Sequence, residues 1–252
     1  MLKEKEVHAE ARRYVNAVAE ITRGPEGRPV RTIHCRGKRK PIGRYPSYKN
    51  ARAHTWESVH ERQLMWLCEA DPDVVSYLEQ PHRVTMPLLD RSTTARDLEY
   101  FPDLLCERAD GSQEIIEVKK DWDEIRNDPA YEAKLEFVRE IYDAKGYKFR
   151  ILTASDDIEI EPFLSNARTI QSYRFTQVDT LDELRFHEAL DAAGGSLTLG
   201  EAIEAVSASR DRFDPLAFAL VCALIVRRAA FVDIRQVFDH GTELRRLADL
   251  RN

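Results

Sequence analysis

No C-x-x-C pair occurs among the four cysteines, Cys35, Cys68, Cys106 and Cys222. Neither a zinc site nor a disulfide framework is therefore indicated, and the scattered spacing suits small buried side chains in a reducing compartment. Glycine (10) and proline (11) are sparse in 252 residues, and with 43% hydrophobic and 33% charged residues the chain is ordered for most of its length. No apolar run approaches the roughly 18 to 20 residues of a membrane span. The opening MLKEKEVHAEARRYV is too charged for a signal peptide, so a cytoplasmic protein is expected. The length allows one large domain or two small ones.

An excess of positive charge is also missing, since the net charge is -6, but the average hides an asymmetry. Residues 22–56 carry ten basic side chains against the single acid Glu26. Pro25, Pro29, Pro41, Pro46, Tyr45 and Tyr48 are interleaved with them, which predicts an extended arm suited to a phosphate backbone. With a short helix ahead of it, the arm forms an expected N-terminal unit, 1–54, in which Arg36, Lys38, Arg39, Lys40 and Arg44 are the candidate contacts to double-stranded DNA.

Periodicity then predicts a helix from Thr55 or Ser58 to about Ala70, stopped by Pro72. Four short β-branched or aromatic runs follow, at 74–80, 82–89, 100–108 and 113–119, with Asp110-Gly111 turning between the last two. Asp128-Pro129 opens a helix that Gly146 closes, and 147–154 reads as a further strand. This order predicts an α/β unit over 55–160, a mixed sheet flanked by helices. After a junction near SDDIEIEP, helices are expected at 180–193, 198–207 and 215–228, then a strand pair, which together suggest a winged-helix-like unit over 173–252.

Phe101-Pro102-Asp103 followed by Glu117-Val118-Lys119 fits the PD…(D/E)xK pattern of metal-dependent nucleases. As letters the pattern is weak, and Pro72-Asp73 and Glu132-Ala133-Lys134 repeat it. Context separates them. Period-2 alternation puts Glu117 and Lys119 on one strand face, and the hairpin brings Asp103 alongside. Glu132 and Lys134, two apart on a helix, diverge by about 200°. Hydrolysis of a phosphodiester gathers negative charge on its oxygens, and Mg²⁺, or Mn²⁺ in its place, is the hard ion that Asp103, Glu117 and the Val118 carbonyl would hold, while Lys119 would orient or help deprotonate the attacking water and offset developing charge. Upstream, Glu57 and Glu61 lie at i and i+4 on one helix face. Glu61 is the preferred additional ligand and Glu57 the fallback, although Ser58 to Glu61 also reads as a capping box.

The run ESVHERQLMWLCEADPDVVSYLEQP (57–81), with YFPDLL and EIIEVK after it, resembles the TnsA-type endonuclease subunit of heteromeric transposases over roughly residues 50–155. The resemblance implies a restriction-endonuclease-like fold that cuts at the 5′ ends of a mobile element. It further implies a DDE-type transposase and an AAA+ ATPase regulator as partners. By position it makes Glu61, Asp103 and Glu117 the metal-binding acids and Lys119 the active-site lysine. In 173–252, ten Arg and no Lys stand against thirteen acids, and PLAFALVCALIV is uncharged. That helix lacks the polar side chains that read DNA, so core or a protein interface is expected there. A stand-alone defence or repair nuclease, and a non-catalytic DNA-binding adaptor, are the alternatives.

Overall fold

The computed structural model describes residues 19–31, 41–88 and 96–247. The expected N-terminal helix lies outside these residues apart from its end, where Glu20 already opens strand β1 (Glu20–Arg23). Next come the hairpin β2 (Gly43–Ser47) and β3 (Arg52–Trp56), then α1 (Val59–Ala70), β4 (Val74–Glu79), β5 (His82–Leu88), β6 (Arg96–Tyr100), β7 (Leu104–Arg108) and β8 (Gln113–Lys119). A short α2 (Asp123–Arg126) and the long α3 (Pro129–Ala144) lead to β9 (Lys148–Thr153). The central sheet has the order β4-β7-β8-β9. Its first three strands are antiparallel, and β9 runs parallel to β8, a return that only the α3 crossover makes possible. The architecture is the expected mixed α/β sheet between helices.

The two faces of β8 explain why α1 and α3 lie where they do. Ile115 packs with Leu135, Val138, Ile141 and Tyr142 of α3, whereas Ile116 and Val118 pack with Leu64, Leu67 and Cys68 of α1. Each such side chain contributes roughly 1.5–3 kcal/mol when fully buried. Apolar burial therefore secures the strand that carries the acids. Both helices begin as their sequences require: Ser58 Oγ accepts the Glu61 N–H, and the Asp128 carboxylate accepts the Tyr131 N–H with Pro129 in the first turn.

Two expectations need correction. Residues 100–108 are not one strand, because the chain changes sheets at Phe101-Pro102-Asp103: β6 pairs with β5, while β7 pairs with β4 and β8. Pro102 has no N–H with which to continue a ladder. Nor is 22–56 wholly an extended arm. The pairing of β2 with β3 buries Tyr45 and Ser47 on one strand and His54 and Trp56 on the other. Arg36, Lys38, Arg39 and Lys40 lie outside the described residues, and Arg44 is exposed on β2.

Glu69, at the end of α1 and fully buried, anchors that hairpin. Its Oε1 accepts the Tyr48 and Lys49 N–H groups at 2.6 and 3.2 Å, and its Oε2 accepts the Ser47 and Tyr77 hydroxyls at 2.8 and 2.6 Å. The Lys49 ammonium in turn donates to the carbonyls of Cys68, Asp71 and Val74, where α1 runs out of partners of its own.

Beyond β9, a helix not foreseen from the sequence, α4 (Phe163–Ser172), lies against α1. There follow α5 (Thr180–Ala192), β10 (Ser196–Thr198), α6 (Leu199–Val206), α7 (Pro215–Val226), β11 (Phe231–Val232) and β12 (Glu243–Arg245), with a small sheet in the order β10-β12-β11. The Thr198/Glu201 capping box opens α6 as expected. Helix α7 is core: Ala217 and every residue from Ala219 to Val226 are buried. One apolar cluster runs without interruption from Leu64 and Leu67 of α1 through Ala167 and Ile170 of α4 to Leu220 and Leu224 of α7. The Asn166 side chain adds hydrogen bonds to the Ile234 and Gln236 carbonyls.

Of the cysteines, Cys68, Cys106 and Cys222 are free and buried, and Cys35 lies outside the described residues. Among the described residues no helix is long and apolar enough to cross a membrane.

Candidate active site

A cleft of about 940 Å³ opens where the start of α1 faces the end of β8. Glu57, Glu61, Asp103, Val118 and Lys119 line it, with Asp121, Asp123 and Glu124 on the far side. Asp103 arrives there through the register of the sheet. Its N–H donates to the Ile116 carbonyl at 3.1 Å and its carboxylate accepts the Val118 N–H at 2.7 Å, so the residue clasps the end of β8. Its own carbonyl is held by the Gln80 N–H at 2.9 Å.

Gln80 sits at φ 41°, a left-handed turn between β4 and β5. Neighbouring Glu79 accepts from Arg52, His54 and the Thr55 N–H of β3. The Glu79-Gln80-Pro81 triplet therefore fixes the site from behind, a role that reading it as the end of a strand does not reveal.

The carboxylates in the cleft repel one another. Burial pushes the Asp103 carboxyl well above its ordinary range, and the charges of Glu117 and then Glu61 push it further. The Glu61 carboxyl is raised as well, by burial more than by its neighbours Glu57 and Glu117. Part of the Glu61 carboxylate is engaged locally, accepting the Glu57 N–H at 2.8 Å, while its own N–H donates to Ser58. Glu61 thus takes part in the helix cap while lining the cleft. For Lys119, burial alone would lower the ammonium, but the adjacent charges of Glu117 and Asp103 outweigh that and raise it, so it remains a cation.

Glu117 is placed differently. It is 3% exposed and does not line the cleft. Its Oε1 accepts the Tyr131 hydroxyl at 2.5 Å and the Lys119 ammonium at 2.8 Å, and its Oε2 accepts the Tyr100 hydroxyl at 2.6 Å. Tyr131, which helix periodicity assigns to an apolar face, also carries the Lys119 ammonium over its ring at 4.8 Å. No motif marks either tyrosine. The only signal in the sequence is that Tyr100 stands next to the Phe-Pro-Asp break.

The repeated motifs are accounted for elsewhere: Asp73 pairs with Arg108 at 2.9 Å, and Lys134 donates to the Glu99 carbonyl. Arg31 pairs with Glu57 at 2.8 Å and lies over the Phe101 ring, and Pro41 lines the cleft. Arg31 and Pro41, which flank the residues 32–40 in the sequence, are thus both found at the cleft.

As a donor set, the cleft offers carboxylates and a backbone carbonyl, the chemistry of a hard divalent cation. A cation there would offset the burial and the neighbouring negative charges that raise Asp103 and Glu61. Among the described residues no group of three His, Cys, Asp or Glu side chains is already arranged to hold a metal.

Residues 71–154 match the family TnsA-like endonuclease N terminal. This TnsA-like region is about a third of the chain and contains Asp103, Val118, Lys119 and Glu117. Glu57 and Glu61 precede it. Among curated proteins nothing matches the chain.

Proposed function

We propose that the protein is a divalent-metal-dependent DNA endonuclease that cuts at the 5′ ends of a mobile element within a heteromeric transposase. The supporting observation is the convergence of Asp103, Glu61 and Lys119 on one cleft, in and beside a region similar to a TnsA-like endonuclease domain. Asp103 and Glu61 would hold Mg²⁺, with the Val118 carbonyl a further donor. The cation supplies positive charge at the scissile phosphate and an acidified water.

The chain itself supplies the rest. Lys119, held protonated, directs an ammonium at the charge that develops on phosphate oxygens, a stabilising role rather than that of a base. Segment 32–40, attached at the cleft rim by Arg31 and Pro41, would bring Arg36, Lys38, Arg39 and Lys40 to the DNA backbone, with Arg44 on the neighbouring hairpin. The unit after α4 runs helix, strand, two helices and two strands, and we read it as winged-helix-like. We assign it to docking on a DDE-type transposase and an AAA+ regulator. Because α7 is buried from Ala219 to Val226, the docking residues would be Phe213, Leu216 at the exposed start of α7, and Val237, which are 67, 66 and 69% exposed.

With Mg²⁺ or Mn²⁺, DNA strand cleavage leaving 5′-phosphate and 3′-hydroxyl ends is expected, rising when the transposase proteins are added, whereas Ca²⁺ permits binding with little turnover. Metal-independent cutting would reject the metal reading, and cutting indifferent to the added proteins would reject partner control. A second expectation concerns the arm. Each neutralised phosphate contributes about -0.9 to the slope of log affinity against log salt. Replacing Arg36, Lys38, Arg39 and Lys40 with Gln should flatten that slope by about two to four. An unchanged slope would show that these residues do not touch DNA.

A further inference from the structure

The Glu117 carboxylate, which the motif makes a metal ligand, is committed elsewhere. A carboxylate has about four lone-pair positions. Three are taken here, by the Tyr131 hydroxyl, the Lys119 ammonium and the Tyr100 hydroxyl. The group is 3% exposed and does not line the cleft, whereas Asp103, Glu61 and Lys119 do. Tyr100 is itself 3% exposed and packs edge-on to Tyr142 and Phe149, so its hydroxyl has little freedom to turn away. Tyr131 is placed by the first turn of α3, where the Asp128 cap holds its N–H. The two phenols come from different elements, one at a strand end and one at a helix start, and meet on opposite oxygens of one carboxylate.

We propose that Tyr100 and Tyr131 are positioning residues of the active site: they lock Glu117 against Lys119, so that Glu117 steers the lysine instead of chelating the cation. This rests on the nuclease reading and deepens it. Tyr131 acts twice, through its hydroxyl on Glu117 and through its ring beneath the Lys119 ammonium, so both the direction and the height of the lysine depend on it. Removing the Tyr131 hydroxyl leaves Lys119 alone on Oε1 of Glu117, and the carboxylate and its lysine can then swing together away from the phosphate. Metal affinity would be left to Asp103 and Glu61.

The test separates metal binding from rate in the full-length protein. Mn²⁺ affinity is measured by calorimetry without DNA, and single-turnover cleavage is measured at saturating Mn²⁺, for the wild type, Tyr131→Phe, Tyr100→Phe, Glu117→Gln and Asp103→Asn. Tyr131→Phe keeps the ring and the helix turn and is the variant expected to fold in every case, as its melting curve would show. Tyr131→Phe and Glu117→Gln should hold Mn²⁺ within fivefold of wild type while the cleavage rate falls at least fivefold, and Tyr131→Leu, which also loses the ring, should be slower still. Asp103→Asn should lose Mn²⁺ binding.

If Glu117→Gln or Tyr131→Phe weakens Mn²⁺ fivefold or more, Glu117 is a ligand and the inference is overturned. A fall in rate of less than fivefold for Tyr131→Phe overturns it as well. In both cases a wild type that binds Mn²⁺ and cuts, with an inert Asp103→Asn, leaves the nuclease reading standing. A wild type that neither binds Mn²⁺ nor cuts DNA removes that reading and the inference with it.

Discussion

Asp103→Asn should reduce DNA cleavage by about a thousandfold or more, the scale of losing a group aimed at charge in the transition state, and should leave the protein at least as heat-stable as wild type in metal-free buffer. The two effects share one cause. Asp103 lies among like charges, with its carboxyl pushed up by burial and by Glu117 and Glu61, so neutralising it removes repulsion. Asn still offers an oxygen to the Val118 N–H, and the strand clasp survives. Catalytic acids held against their own electrostatics commonly trade stability for activity in this way. Lys119→Ala should lose cleavage too but gain no stability, because it takes away the cation that offsets the cluster. Cleavage assays beside melting curves check both, and full activity of a folded Asp103→Asn protein would remove Asp103 from the site.

The largest expected loss of stability lies outside the cleft. Glu69→Ala would leave the Tyr48 and Lys49 N–H groups and the Ser47 and Tyr77 hydroxyls without their acceptor in a fully buried place. Leaving a buried donor without an acceptor costs about 1–3 kcal/mol. With four donors affected, a loss of about 4 kcal/mol or more is expected, which at this chain length lowers the melting temperature by about 8 °C or more. Glu69→Gln should cost much less, since its carbonyl oxygen can still accept the two N–H groups and both hydroxyls can turn to accept from the amide. A melting temperature for Glu69→Ala within about two degrees of wild type would show that the hairpin is anchored by packing alone. The site would feel the loss, because α1 carries Glu69 and Glu61 on the same rigid rod.

Elements with strong local punctuation were legible in the sequence. Ser58, Asp128-Pro129, Thr198 with Glu201 and Asp214-Pro215 each open a helix where expected, because a cap is a local arrangement of a few residues. Strand β8 was legible through its alternation and its Gly111 turn. What escaped depends on partners distant in the chain. The division of 100–108 between two sheets is decided by β4 and β5, and the burial of the 43–56 hairpin by Glu69, 21 residues after Tyr48. Within the candidate site, motif spacing located Asp103, Glu61 and Lys119 at one cleft. It could not show that Glu117 faces two tyrosines, because Tyr100 and Tyr131 belong to segments whose periodicity explains them as ordinary apolar residues.

The uninterrupted cluster from α1 through α4 to α7 bears on how such chains can be recombined. A chimera joined at residue 173 would keep α4 with the nuclease unit but strip it of the α7 face against which Ala167 and Ile170 are buried, and would leave Asn166 facing carbonyls that are no longer there. A junction in the 159–162 turn moves the fault to the other side of α4, where it meets α1. Neither seam is clean. An exchange of C-terminal units between relatives therefore has to carry a matched pair of helix surfaces, and a drift in one of them selects compensating changes in the other. The unit proposed to meet partners and the unit proposed to cut are bound by packing to change together.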